Sequence, residues 1–115
     1  MSSVTCCAFD DFVKAMADET RQRILSLLQA SAMNESDIVA HLEFTQPTVS
    51  HHLSLLRRAN LVSARREGKF MFYRANLACV TECCGEILNR IKIPFGKIAF
   101  EVFNREGKQD DQHTN

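Results

Sequence analysis

A mainly helical domain closed by one small β-hairpin is the fold class this sequence predicts, and three observations predict it. Apolar residues recur at helical spacing from Phe9 to Leu56 and again along the stretch after Asn76. Cap-forming residues, Asp18, then Asn34 or Ser36, then Thr45, stand just ahead of three of these runs. Two strand-like runs flank Glu67-Gly68-Lys69.

The first helix is signalled by Phe9, Phe12, Val13 and Met16, an i, i+3, i+4, i+7 stripe. Asp18 caps a second helix that buries Ile24, Leu25, Leu27 and Leu28. Residues 31–34 read as a connector. Asn34 or Ser36 then starts a short third helix with Ile38, Val39 and Leu42 on its core face. After the turn Glu43-Phe44-Thr45, Thr45 caps a fourth helix, and Pro47 falls in its first turn, where an amide has no intrahelical partner anyway. Val49, Leu53 and Leu56 point inward, and Asn60 and Leu61 close that helix. Residues 61–66 and 70–74 form the hairpin, with a basic tip. A last helix covers roughly Ala78 to Ile91, and Ile98, Phe100, Val102 and Phe103 suggest one more packed segment. The expected organisation is one domain over residues 1–104 and a polar tail over 105–115.

The chain has 115 residues, 45% of them hydrophobic and 24% charged, which excludes a disordered or collagen-like polymer. No apolar run approaches the ~20 residues of a membrane-spanning helix. Residues 1–7 lack a basic stretch and an apolar core, so no secretory signal is expected and a cytoplasmic location is.

Acidic and basic residues balance at 14 each. Their distribution is uneven. From Thr45 to Ala75 there are six basic residues, Arg57, Arg58, Arg65, Arg66, Lys69 and Arg74, against the single acid Glu67. One basic segment in a neutral chain is the footprint of a nucleic-acid-facing surface. A short helix, a tight turn and a second helix with polar first turns form a helix-turn-helix. Its second helix would enter the major groove, with Gln46, Thr48, Ser50 and His51 near the base edges. Arg57, Arg58, Arg65, Arg66 and Lys69 suit the phosphate backbone. His52 is expected to turn inward as a hydrogen-bonded histidine.

Helix-turn-helix plus basic hairpin is a winged helix, and three motifs make the resemblance specific. The stretch Phe12-Val-Lys-Ala-Met-Ala-Asp-Glu-Thr-Arg-Gln-Arg-Ile-Leu25, the stretch Gln46-Pro-Thr-Val-Ser-His-His-Leu53, and Leu61-Val followed by Arg65-Arg-Glu-Gly-Lys69 and Tyr73 closely resemble the ArsR/SmtB family of bacterial metal-responsive repressors. The resemblance runs from about Phe9 to Ile91. It implies a homodimer built on the first and last helices, and repression by occupying double-stranded operator DNA until an inducer binds.

The family's sensing sites vary. One places cysteines on the third helix in a pattern like Cys-Val-Cys-Asp-Leu; here Asn34-Glu-Ser36-Asp-Ile38 stands in its place, without thiols. Another uses Asp, His and Glu of the last helix for zinc, and this last helix has no histidine. What remains is sulfur: Cys6, Cys7, Cys79, Cys83 and Cys84. An odd number with two vicinal pairs argues against a structural disulfide framework and for metal ligation or redox sensing. Thiolates without imidazole favour thiophilic ions, and As(III) or Sb(III) takes three of them. Cadmium, lead, mercury and bismuth are chemically compatible. Val80, Cys84, Ile87, Leu88 and Ile91 share a helix face, which puts Cys84 in the apolar stripe expected to pack in the dimer. Cys79 and Cys83, one turn apart at its edge, converge on one ion, with Cys6 or Cys7 as the third ligand.

The expected function is therefore a repressor induced by As(III) or Sb(III), with no organic cofactor and no membrane partner. A thiol-based redox or reactive-sulfur repressor on the same scaffold is the alternative; relatives of that type pair a cysteine of the second helix with one of the last, and residues 20–29 hold none. No Cys-x-x-Cys motif, nucleophile–base pair or phosphate loop points to an enzyme.

Overall fold

Three side-chain caps set where the helices begin. In the computed structural model, which describes residues 8–94 and residue 104, Asp18 Oδ1 accepts from Arg21 N at 3.0 Å, Asn34 Oδ1 from Asp37 N at 2.8 Å, and Thr45 Oγ1 from Thr48 N at 3.3 Å. Each satisfies an amide that has no intrahelical partner and is worth about 1 kcal/mol. The element order is α1 (Phe9–Met16), α2 (Glu19–Ala30), β1 (Met33–Asn34), α3 (Glu35–Leu42), α4 (Gln46–Arg58), β2 (Val62–Glu67), β3 (Phe70–Ala75) and α5 (Leu77–Arg90). Left-handed residues stop the helices: Glu43 (φ 60°) ends α3 and Asn60 (φ 61°) follows α4.

The strands form an antiparallel sheet in the order β1-β3-β2. The hairpin register pairs Val62 with Ala75 and Glu67 with Phe70, leaving Gly68 and Lys69 as a two-residue turn. Gly68 takes φ +64°, the positive value that such turns require of a central residue. Beneath the sheet and helices, Ile24, Leu28, Ile38, Val49, Leu53, Leu56 and Leu61 are essentially inaccessible to solvent. This core fixes α3 and α4 as a helix-turn-helix and carries β2–β3 as the wing. The fold is the predicted winged helix-turn-helix.

The described residues fall into two compact units that divide between Cys83 and Cys84. Several details differ from the expectations drawn from sequence. Residues 33–34 form β1, pairing Met33 with Tyr73 and Asn34 with Phe72, where a bare connector was expected; two residues are too short to show an alternating pattern. In α1, Phe12 and Ala15 are buried and Val13 is exposed, so the helix is rotated from the expected stripe. Leu27 and Val39 are half-buried. The expected segment from Ile98 to Phe103 and the tail lie outside the described residues. Among the described residues no helix is long and apolar enough to cross a membrane.

Candidate nucleic-acid interface and thiol site

The core of α4 dictates which of its residues face outward. With Val49, Leu53 and Leu56 buried, Gln46, Ser50, His51, Arg57 and Arg58 are exposed. Thr48 is half-buried, and its hydroxyl lies 2.9 Å from Thr45 Oγ1 at the helix start. Gln46 does not hang in solvent: its Nε2 donates to Glu35 Oε1 at 3.2 Å. The other oxygen of Glu35 accepts from the Tyr73 hydroxyl at 3.3 Å. Burial first, and then the neighbouring Glu35 carboxylate, raise the Tyr73 pKa, so the phenol stays a donor.

The two adjacent histidines of α4 separate. His51 faces outward, while His52 is half-buried and accepts at Nδ1 from Arg21 Nη1 at 3.1 Å. Arginine has no acceptor, so this bond requires unprotonated Nδ1. Burial accordingly lowers the His52 pKa, Arg21 adding to the effect and Asp18 opposing it. Arg21 also donates to the carbonyls of Ala15 (2.8 Å) and Lys14 (3.1 Å), tying α1, α2 and α4 together. The expected inward turn of His52 is thus observed, at half burial.

Arg65, Arg66 and Lys69 are exposed on the wing. Arg65 is ion-paired with Glu67, its neighbour two residues along the same strand face. The one acid of the basic segment therefore compensates one of its six cations.

The cysteines are arranged differently from the helical-wheel expectation. Cys79 and Cys83 are both fully buried, and Cys84 is exposed and carries a free thiol. The expected edge thiols are the inner ones, and the expected stripe thiol is the outer one. The cause is the phase of α5. Asn76 precedes the helix, accepting from Cys79 N at 3.4 Å, and sets the first turn so that Cys79 and Cys83 face inward. Val80, Ile87 and Leu88 are only half-buried and Ile91 is exposed. An apolar stripe identifies a face that avoids water, not the partner that covers it.

Cys79 Sγ is the acceptor of two carboxamide donors, Asn76 Nδ2 at 3.2 Å and Asn60 Nδ2 at 3.5 Å. Asn76 Nδ2 also reaches the Asn60 carbonyl at 3.1 Å, and Asn76 N donates to Leu61 O at 2.8 Å. The sulfur thus sits where the recognition helix hands over to the wing. Both donors, and the positive end of α5, would favour negative charge on this sulfur only in the reduced protein. Cys79 and Cys83 are each disulfide-bonded in this structure. Among the described residues, no group of three or more His, Cys, Asp and Glu side chains is arranged to hold a metal ion. Cys6 and Cys7 lie outside the described residues.

Four contributors were not singled out from sequence as site residues: Glu35, Asn60, Asn76 and Arg21. Asn76 carried a readable signal, a cap residue ahead of a helical run; the others depend on long-range contacts.

Comparison with known proteins agrees with this geometry. Residues 18–64 match the model of the family described as "Bacterial regulatory protein, arsR family". The chain is 37% identical over 78 residues to the transcriptional repressor SdpR of Bacillus subtilis, covering 68% of this chain and 87% of that one. It is 34% identical over 70 residues to the arsenical resistance operon repressor of Staphylococcus aureus, covering 61% and 67%. In structure it is similar to an ArsR-like transcriptional regulator from Rhodococcus sp. RHA1, with a TM-score of 0.66 over 90% of both chains at 24% identity. With the wing, the recognition helix and these relatives in agreement, the chain belongs to the ArsR family and is a DNA-binding transcriptional repressor of that family, not an enzyme.

Proposed function

We propose that this repressor works in the cytoplasm as a two-fold homodimer and releases its operator when As(III) or Sb(III) binds cysteine thiolates. The observation that carries the inducer is Cys79 and Cys83: two soft donors one helical turn apart on one face, both fully buried, beside the end of the recognition helix. Likeness to an arsenical resistance operon repressor supports that class of inducer. Once reduced, Cys79 and Cys83 supply two of the three thiols, and Cys6 or Cys7 is the natural source of the third. Binding of arsenite as As(OH)3 forms three As–S bonds and breaks three As–O bonds; each hydroxide leaves as water, with the proton of its thiol or, where the sulfur is ionised, with one from solvent. Cys84, exposed in the single chain, is less suited than Cys79 and Cys83.

On the DNA side, Gln46, Ser50 and His51, with Thr48 beside them, meet the major groove, and Arg57, Arg58, Arg65, Arg66 and Lys69 meet phosphates. Exposed Val13 and Leu77, and separately exposed Ile91 and Ile93, supply apolar surface for a second copy. A two-fold dimer would set its recognition helices about one DNA turn, ~34–36 Å, apart.

The disulfide state of Cys79 and Cys83 favours a second reading, a peroxide-class signal. There two thiols form one S–S bond, and their two protons and two electrons reduce the peroxide to two waters. Both readings are tested by release of operator DNA, selected from a random duplex pool, by arsenite and by hydrogen peroxide. Wild type, Cys79→Ser, Cys83→Ser, Cys84→Ser and the Cys6/Cys7 double variant are compared. The proposal expects arsenite release under reducing conditions in wild type and Cys84→Ser, and its loss with full repression in Cys79→Ser and Cys83→Ser. Full arsenite release in both of those variants refutes the thiol pair. Release by peroxide alone replaces the first reading with the second.

A further inference from the structure

We infer that Glu35, an acid beside the DNA-facing surface, is a specificity-determining positioning residue that orients the Gln46 carboxamide before DNA arrives. Glu35 is the first residue of α3, Gln46 the first of α4, and Tyr73 lies in β3. The Glu35 carboxylate joins all three elements of the reading head. One oxygen is anchored by the hydroxyl of buried Tyr73 at 3.3 Å, and the other accepts from Gln46 Nε2 at 3.2 Å.

A carboxylate only accepts, so it binds the nitrogen end of the Gln46 amide and rejects the oxygen end. One N–H of Gln46 is then occupied. The remaining N–H and Oε1 form a donor–acceptor pair with a fixed order. That pair is complementary to adenine in the major groove, where N7 accepts and the N6 amino group donates. Without Glu35 the amide turns over freely. Its two N–H groups can then meet the two acceptors of guanine, or its oxygen can meet the cytosine amino group. Lysine or arginine at position 35 would reach for phosphate instead. An acid there lowers non-specific affinity by its charge and sharpens base choice by its geometry.

This inference rests on the reading of Gln46 as a base-contacting residue, and the test separates the two. A randomised 30-base-pair duplex pool is selected with the reduced wild-type chain and with Gln46→Ala, Glu35→Ala, Glu35→Gln and Tyr73→Phe, and bound sequences are counted. Binding to random duplex is measured beside it at fixed salt. Gln46→Ala should flatten preference at one base position per half-site by about 5- to 150-fold, the value of one bidentate contact. Glu35→Ala should flatten that same position and no other, while raising affinity for random duplex. Glu35→Gln keeps one carbonyl acceptor, so it should raise random-duplex affinity equally but flatten the position less. Tyr73→Phe, which frees the carboxylate's anchor, should fall between wild type and Glu35→Ala. Wild-type base preference in Glu35→Ala at the position Gln46→Ala flattens would overturn the inference and leave the Gln46 reading standing. Equal flattening in Glu35→Ala and Glu35→Gln would reduce Glu35 to a charge and overturn the positioning role. No change at any base position in Gln46→Ala would remove Gln46 from base reading, and the inference with it.

Discussion

Asn76 does two jobs that can be pulled apart, and their separation is the sharpest test of the sulfur site. Its Oδ1 caps α5 by accepting from Cys79 N, while its Nδ2 donates to the Asn60 carbonyl and to Cys79 Sγ. Replacing it with alanine removes both jobs. The missing cap costs about 1 kcal/mol and the missing bond to Asn60 about another, so Asn76→Ala should be destabilised by about 2 kcal/mol. With a typical urea slope near 2 kcal/mol/M the midpoint falls by about 1 M. Asn76→Asp keeps an oxygen for the cap and adds charge at the favourable end of the helix, but gives up both Nδ2 donations. It should be destabilised by only about 1 kcal/mol, half as much.

Inducer response should rank the two variants the other way round. A carboxylate beside Cys79 opposes a thiolate, whereas alanine merely stops helping it. Arsenite should release DNA best from wild type, less well from Asn76→Ala and least from Asn76→Asp. The assays are urea unfolding of the reduced protein and arsenite titration of the operator complex. If both properties fall in the same order, Asn76 is a helix cap and nothing more.

Other expectations follow from the same surfaces. Lys69→Ala or Arg66→Ala should reduce the slope of log affinity against log salt by about 0.9 for each phosphate no longer neutralised, or about twice that in a dimer. Glu67→Ala should raise DNA affinity by releasing Arg65 from its ion pair; no gain would place Arg65 outside the interface. Leu53→Ala, at a site 1% exposed, should cost about 2–5 kcal/mol in urea unfolding. His52, whose pKa is lowered on folding, contributes stability that is complete above its unfolded value of about 6.5 and disappears as pH falls through the folded value. His52→Asn should remove that part of the acid-side decline, and an unchanged profile would exclude His52 from it.

What was legible in the sequence was whatever is local. Asp18, Asn34 and Thr45 announced their helices because a cap and its amide are three residues apart. The hairpin was visible because Gly68 marks a turn between two runs of strand-forming residues. Val49, Leu53 and Leu56 were placed inward by period alone. What was missed depends on residues that meet across the chain. Glu35 reads as a helix-start acid until Tyr73, 38 residues away, anchors it. The inner face of α5 was not legible: its apolar stripe was expected to pack in the dimer, and the residues that the helix buries within one chain are Cys79 and Cys83. Cysteine is among the most frequently buried residue types, so thiols placed at the edge of that stripe can equally be the residues the helix turns inward, as they are here.

The energetics of the switch place a demand on the proposed dimer that the sulfur site alone approaches, and only when both copies are loaded. A near-complete change of state needs a ligand preference of about 5.5 kcal/mol. In each protomer, Cys79 Sγ accepts from Asn60 and Asn76. A hydrogen bond to a charged acceptor is worth about 1 kcal/mol more than one to a neutral acceptor. Bonding a reduced, ionised Cys79 to arsenic would therefore weaken the hold on the end of α4 by about 2 kcal/mol per protomer and about 4 per dimer. Those values correspond to about 30-fold and about 1,000-fold in affinity. A half-loaded dimer should then stay on its operator at concentrations where a fully loaded one leaves, and release should rise steeply with inducer. Mixed dimers of one wild-type and one Cys79→Ser protomer make the measurement: arsenite should loosen them about 30-fold. Mixed dimers released as completely as wild type would show that one sulfur site suffices, and that the energy travels by routes other than Asn60 and Asn76.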